Sequence, residues 1–361
     1  MLKYFLLFFV LLLPVLILSG KKSKINRVVT AGRVAGVGSL LLAVVFIVAL
    51  ASLFFGSSDI DAFSILRWLI SGGNDTGTGL SDTDETILFS IRLPRIIFAG
   101  IVGGALAAAG VVFQGLLRNP LADPYILGIS GGAAVGALTA LMLGILPLGV
   151  SGSAFLGAIV TIVLVYGIAK TKNELQSTTL LLAGVIVNAF FSAVIMFLIS
   201  TASDKSLHNA MFWLMGDLSL AEWREIALAG LFLLLGFLII FTYARHLNLM
   251  AISEETAKQL GVNVEQTKII LLLAASLITG VAVSVSGIIG FVGLIVPHMM
   301  RILLGSDHRM LLPASILFGS SFLIVADTFA RNLIAPAELP VGVITALCGA
   351  PYFIYLLRRK A

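Results

Sequence analysis

Apolar runs of roughly membrane-crossing length recur along this chain from end to end, separated by short polar stretches. A helix that spans a bilayer needs about 20 apolar residues. Runs of that order cover residues 34–55, 93–113, 125–146, 153–169, 178–200, 225–244, 268–286, 289–304, 311–329 and 341–357. The pattern predicts an all-α polytopic membrane protein with about ten core transmembrane helices. Residues 1–30 stand apart as an extra N-terminal apolar segment with a basic linker. Tyr4 to Leu18 is apolar, with Lys3 ahead of it and Lys21, Lys22 and Lys24 behind it. A signal peptide carries its positive charge ahead of the apolar stretch, so an additional short span or an interfacial helix is favoured over a cleaved leader.

Glycine clusters inside the predicted spans. Gly100 and Gly104, Gly128 and Gly132, and Gly132 and Gly136 are each four apart, a spacing that lets helix backbones approach closely. Gly287, Gly290 and Gly293 precede Pro297, which predicts a broken or re-entrant eighth span. Asn74 to Gly79 reads as a flexible loop tip. Between the sixth and seventh spans, Ser253 can cap a short helix whose first turn holds Glu254 and Glu255. Lys258 lies near its end and Gly261 beyond it, in agreement with cap and dipole preferences.

Composition agrees with the pattern. The 361 residues are 59% hydrophobic and 11% charged, too few polar positions to cover a soluble core of this size. A single cysteine, Cys348, excludes an internal disulfide and a Cys-based metal cluster. The net charge of +5 does not point to nucleic acid, because the basic residues occupy short loops where orientation requires them. With the first core span starting in the cytoplasm, sixteen Lys and Arg from Lys21 onward lie on the inner side. Six lie outside: Arg67, Arg92, Arg95, Lys205, Arg224 and Arg331. This bias places both ends of the core in the cytoplasm. Arg92, Arg95 and Arg331 then stand on the face that charge patterning disfavours, and as exposed cations they would steer a negatively charged partner.

The predicted spans carry little chemistry of their own. Those over 93–113, 125–146, 178–200, 268–286 and 341–357 hold no Asp, Glu, Lys or Arg away from their ends. Ion-driven carriers keep an ionisable group near mid-membrane, so a secondary carrier is the weaker reading. Asp327 lies four residues ahead of Arg331, the spacing of a helical ion pair. The sequence has no Gly-x-x-x-x-Gly-Lys-Ser/Thr loop to cradle ATP. Any ATPase is therefore a separate subunit, and this chain reads as a non-enzyme. No His, Cys and Asp cluster has the spacing to hold a bare metal ion, which suits a cargo that arrives already wrapped.

Several segments, in order, carry a resemblance. They are Arg92-Leu93-Pro94-Arg95, Gln114 to Pro124, Leu127 to Ala133, Leu180 to Val185, Phe212 to Gly216, Gly290 to His298 and Glu338 to Gly342. Their order and spacing over residues 34–358 resemble the permease subunit of ABC importers for iron-siderophores, haem and vitamin B12, the FecCD/BtuC type. Residues 1–30 depart from the usual ten-helix permease.

The resemblance implies a ten-helix importer transmembrane domain over residues 31–361, in the cytoplasmic (inner) membrane. It implies a homodimer with the pathway between subunits, two ATP-binding cassette subunits below and an extracytoplasmic substrate-binding protein above. ATP and magnesium would be bound by those partner subunits, and this chain would hold no cofactor. Arg92, Arg95 and Arg331 match the family's docking arginines. Ser177 and Thr178 match a cytoplasmic gate, Asn119 and Leu121 match a second constriction, and Asn188 is a candidate pathway residue. Residues 249–262 match the coupling element that meets the ATPase, including Ser253, Glu254, Glu255, Ala257, Gln259, Leu260 and Gly261. The implied cargo is a metal chelate, with molybdate or another small anion as the alternative.

Overall fold

In the computed structural model, residues 29–56, 64, 67, 81–144, 148–171, 174–219 and 222–360 are described. The apolar segment at 4–18 and the loop tip at 74–79 lie outside them. Each of the ten expected spans is a helix. We label the helices α1 (Ala31–Phe54), α2 (Asp82–Leu116), α3 (Ile129–Leu143), α4 (Gly149–Ala169), α5 (Ser177–Ser200) and α6 (Asp204–Leu214). There follow α7 (Trp223–Thr242), α8 (Ala244–Ile252), α9 (Glu254–Gln259), α10 (Val264–Ser286), α11 (Val292–Leu304), α12 (His308–Asn332) and α13 (Val341–Lys360). Seven of them are long and apolar enough to cross a membrane; α3, α11 and most of α13 are shorter apolar helices. A two-residue antiparallel pair, β1 (Lys170–Thr171) with β2 (Glu174–Leu175), leads into α5.

Helix α2 begins at Asp82, well ahead of the apolar run at 93, because Ser81 caps it with a capping box closed by Asp84. Over Ile87–Arg92 its turns widen to the π type, and the Leu93 N–H bonds the Leu88 carbonyl. Pro94 lacks an N–H and its ring would collide with the carbonyl four residues back, so a wider turn accommodates it. In the most apolar stretch of α2, 89% of the residues are buried, against 6% in that of α1. Helices α2, α10 and α12 form the hub, and α1, α5 and α7 present apolar side chains outward.

Glycines set the closest approaches, as the four-residue spacing predicts. A Cβ at Gly132 would strike Thr161 of α4 and one at Gly136 would strike the Ser153 carbonyl, whereas Gly100 meets α12 only at ordinary contact distance and the close approach there is made by Gly103 against the Gly319 carbonyl. The predicted break is also present. Helix α10 ends at Ser286, residues 287–291 are non-helical, and α11 starts at Val292. The freed backbone groups find protein partners. The Tyr125 hydroxyl donates to the Ile289 carbonyl at 2.6 Å and accepts from the Ile289 N–H at 3.1 Å. The Asp217 N–H bonds the Ser286 carbonyl at 2.9 Å. Irregular backbone within an apolar bundle persists only where protein or water satisfies it.

Candidate functional site

The short helix expected after Ser253 is present as α9, and the residues ahead of Ser253 belong to a separate helix, α8. Ser253 adopts an extended backbone between them, and its hydroxyl accepts from the Thr256 N–H at 2.9 Å. The Glu255 carboxyl, fully exposed, is held below its usual range by hydrogen bonds from its own amide and from Ser253. Gly261 at φ +85° and a Val262 N–H to Ala257 carbonyl bond of 3.0 Å close the C-terminus of α9. Asn263 then caps α10 through the Gln266 N–H, so α9 and α10 are tightly joined. Ala257 is buried beneath α9, while Gln259 and Leu260 are exposed.

The N-terminus of α9 faces a cavity of about 350 Å³ lined in part by Arg118, Ser177, Thr178, Glu254, Lys258 and Lys268. The Lys268 ammonium, on a side chain only 7% exposed, is its fixed point. It donates to Glu254 Oε2 at 2.7 Å and to the Leu175 carbonyl at 3.0 Å, and it pairs with Glu265 Oε1 at 3.5 Å. Glu265 Oε2 accepts from the Leu175 N–H at 2.8 Å, so both backbone groups of Leu175 are held. The other oxygen of Glu254 pairs with Arg118 at 3.5 Å.

Ser177 and Thr178 open α5 two residues beyond Leu175. The Ser177 hydroxyl donates to the Leu116 carbonyl at 3.1 Å, tying this end of α5 to the end of α2, and Thr178 is exposed. In the neighbouring loop the Asn119 side chain accepts from the Leu121 N–H at 2.9 Å, and Leu121 is exposed. Burial pushes the Asp123 carboxyl in this loop up to about 6, against the lowering effect of the Tyr125 N–H. Asn188 lies farther along α5, half-buried against the turn at Gly128 and Gly131. The structure thus brings Ser177, Thr178 and Glu254 to one cavity, leaves Asn119 and Leu121 out of its lining in the loop that follows Arg118, and leaves Asn188 apart. From α8, Asn248 reaches the start of α12, accepting from the His308 N–H at 2.9 Å and donating to Asp307 at 2.8 Å. Burial raises the Asp307 carboxyl, but hydrogen bonds from Arg309 and Asn248 outweigh it and hold it at about 2.

The opposite end corrects the sequence reading. Arg92, Arg95 and Arg331 are not exposed cations; each is at most 5% accessible. Arg95 grips Asp327 of α12 with its Nε and Nη2 atoms at 2.9–3.1 Å, and its Nη1 donates to Glu338 at 2.6 Å. Arg331 Nε stands 3.2 Å from the same Asp327, the pair anticipated from the four-residue spacing, and its Nη2 donates to Ser52 at 2.9 Å. Arg92 donates to the Leu53 carbonyl at 2.9 Å. A planar guanidinium can be buried where a carboxylate meets it in fork geometry. Asp327 supplies that carboxylate from a helix distant in sequence, so Arg95 and Arg331 already meet a negative partner within the chain.

The residues missed from sequence are Lys268, Glu265, Arg118 and Glu338. The available signal was weak: Glu265 and Lys268 are three apart at the start of an apolar run, where charges are ordinarily read as orientation signals. Among the described residues, no group of three or more His, Cys, Asp or Glu side chains could hold a metal ion.

The FecCD transport family matches residues 41–359. The chain is 44% identical to an uncharacterised ABC transporter permease, YvrB of Bacillus subtilis, over 90% of its own length and 93% of the relative's. It is 47% identical to the cobalamin import system permease BtuC of Halobacterium salinarum over 78% and 76% of the two chains. It is 40% identical to the hemin transport system permease HmuU of Yersinia pestis over 87% and 94%. A solved structure described as a metal-chelate type ABC transporter in an inward-facing conformation superposes with a TM-score of 0.76. That likeness has 33% identity and covers 90% of this chain and 99% of the other.

Proposed function

This chain belongs to the FecCD transport family, the membrane permease component of ABC transporters, and on that premise we propose that it passes a metal chelate inward across the cytoplasmic membrane. The cargo class is a cobalamin, a haem or a ferric siderophore. Support comes from similarity to permeases named for cobalamin and for hemin, and to the metal-chelate type transporter.

The observation that carries the mechanism is the shared cavity, where the two residues that open α5 and the first residue of α9 line one space. Two copies of the chain would enclose the pathway. Ser177 and Thr178 would form one constriction at its cytoplasmic end, and Asn119 and Leu121 a second. Two ATPase subunits, which would bind ATP and magnesium, would meet residues 249–262, with Leu260 and Gln259 as the exposed contacts. Closure of the ATPase pair would displace α9 and repack the start of α5.

A binding protein would dock at the arginine end. Because Arg92, Arg95 and Arg331 are engaged internally, they would shape that rim through the half-exposed Glu338 rather than reach the partner as free cations. The test is uptake into proteoliposomes holding this chain with its ATPase and binding protein. Cyanocobalamin, haem and a ferric hydroxamate siderophore would be offered beside molybdate. ATP-dependent accumulation of one of the three chelates is expected; accumulation of molybdate alone would overturn the cargo class.

A further inference from the structure

Glu254 uses its two carboxylate oxygens in two directions. Oε1 faces Arg118, which directly precedes Asn119 of the second constriction, and Oε2 holds Lys268. Lys268 in turn holds the Leu175 carbonyl, and Glu265 holds the Leu175 N–H, two residues before the start of α5. One carboxylate at the N-terminus of the exposed helix α9 therefore reaches both candidate constrictions, with no continuous helix between them.

The contacts differ in how firmly they are made. Helices α9 and α10 are fastened by the turn at 260–263, so Glu254, Glu265 and Lys268 belong to one body. Leu175 and Ser177 belong to the β2–α5 segment, and Arg118 to the loop after α2. Between these bodies lies the cavity, so they meet through side chains across space that can change shape. The short bonds of Lys268 bridge that gap. Coupling requires a contiguous physical link whose arrangement both sites can bias, and here the link is the Lys268 ammonium on the Leu175 carbonyl beside the Glu265 carboxylate on the Leu175 N–H.

We propose that Lys268, held by Glu254 and Glu265, is the positioning residue that transmits displacement of α9 to the start of α5. The proposal rests on the reading of α9 as the element driven by the ATPase. An ammonium suits this role because it is a compact charge with three rotatable donors, able to keep two partners while a third shifts. Without it, the charged bridge from Glu254 to the Leu175 carbonyl is lost, and the single Glu265 bond to the Leu175 N–H is left to carry displacement to the start of α5.

The test uses the complete reconstituted complex, with the chelate that the wild type accumulates as cargo, and measures uptake and ATP hydrolysis in the same vesicles. For Lys268→Met, uptake per ATP hydrolysed should fall about tenfold, within the range typical of coupling between sites, while hydrolysis continues. Lys268→Arg keeps the charge and donors and should restore most of the uptake. Glu254→Gln weakens the α9 end of the link, together with the pair to Arg118, and should lower the same ratio severalfold, which keeps the test decisive if Lys268→Met folds poorly. Wild-type uptake per ATP in Lys268→Met or in Glu254→Gln would overturn the proposal. Leu260→Glu, on the exposed face of α9, separates the two readings. If it uncouples hydrolysis from uptake while the Lys268 and Glu254 variants transport normally, only the link is wrong; if it too transports normally, the assignment of α9 fails.

Discussion

Buried basic side chains organise both ends of this helical bundle, but the carboxylates they meet belong to different kinds of element. At one end Arg95 and Arg331 converge on Asp327, and the main partners lie on the two long hub helices α2 and α12. At the other end Lys268 meets Glu254 on a six-residue helix and the backbone of a two-residue strand, beside a cavity. Asp327 is 1% exposed, whereas Glu254 and Glu265 are each 25% exposed. A forked guanidinium on a fully dry carboxylate fixes two helices in one register. An ammonium on half-wetted carboxylates holds elements that can still move. The first arrangement suits a static rim and the second a transmission.

Truncation separates the two ends most sharply. Asp327→Ala leaves two buried guanidiniums without their shared partner, and removal of one member of a buried pair costs about 3–5 kcal/mol. Thermal unfolding in detergent should show it as the largest loss in the pair. Lys268→Met should cost about 1–3 kcal/mol, because water can reach the carboxylates left behind. Equal losses at the two ends would erase the distinction between fixed knot and movable link.

A gentler change sharpens the comparison within the arginine end. Glu338 is 38% exposed, and Arg95 retains its grip on Asp327 without it. Glu338→Gln should therefore shift stability by no more than about 1 kcal/mol. Its effect on capture of the binding protein should shrink as salt is added, as expected for an exposed charge. A loss as large as that of Asp327→Ala would mean that the rim residue is part of the buried knot.

The fold was readable from sequence to the extent that it follows from periodic apolar runs. All ten expected spans are helices, and the break after Ser286 lies at Gly287 and Gly290, whereas Pro297 stands inside the continuous helix α11. The start of α2 was misplaced because Ser81 caps the helix in a polar stretch that hydropathy does not register. The site divides along the same line. The Ser253 cap and the Asp327–Arg331 pair are local patterns, and both are present. The grip of Arg95 on Asp327 and of Lys268 on Leu175 joins residues far apart in the chain, which no local periodicity encodes. Charge patterning counted those side chains as markers of orientation, and the fold instead buries them as connectors.

The central claim is that this permease is a passive conduit, worked by ATPase subunits through α9 and supplied by a binding protein. Reconstitution of the purified chain alone, beside the complete complex in parallel vesicles, tests it most directly. Uphill accumulation of chelate should occur in the complete complex with ATP and be absent with the chain alone, whether or not a proton gradient is imposed. Concentrative uptake by the chain alone, abolished by an uncoupler, would contradict the account and identify a secondary carrier.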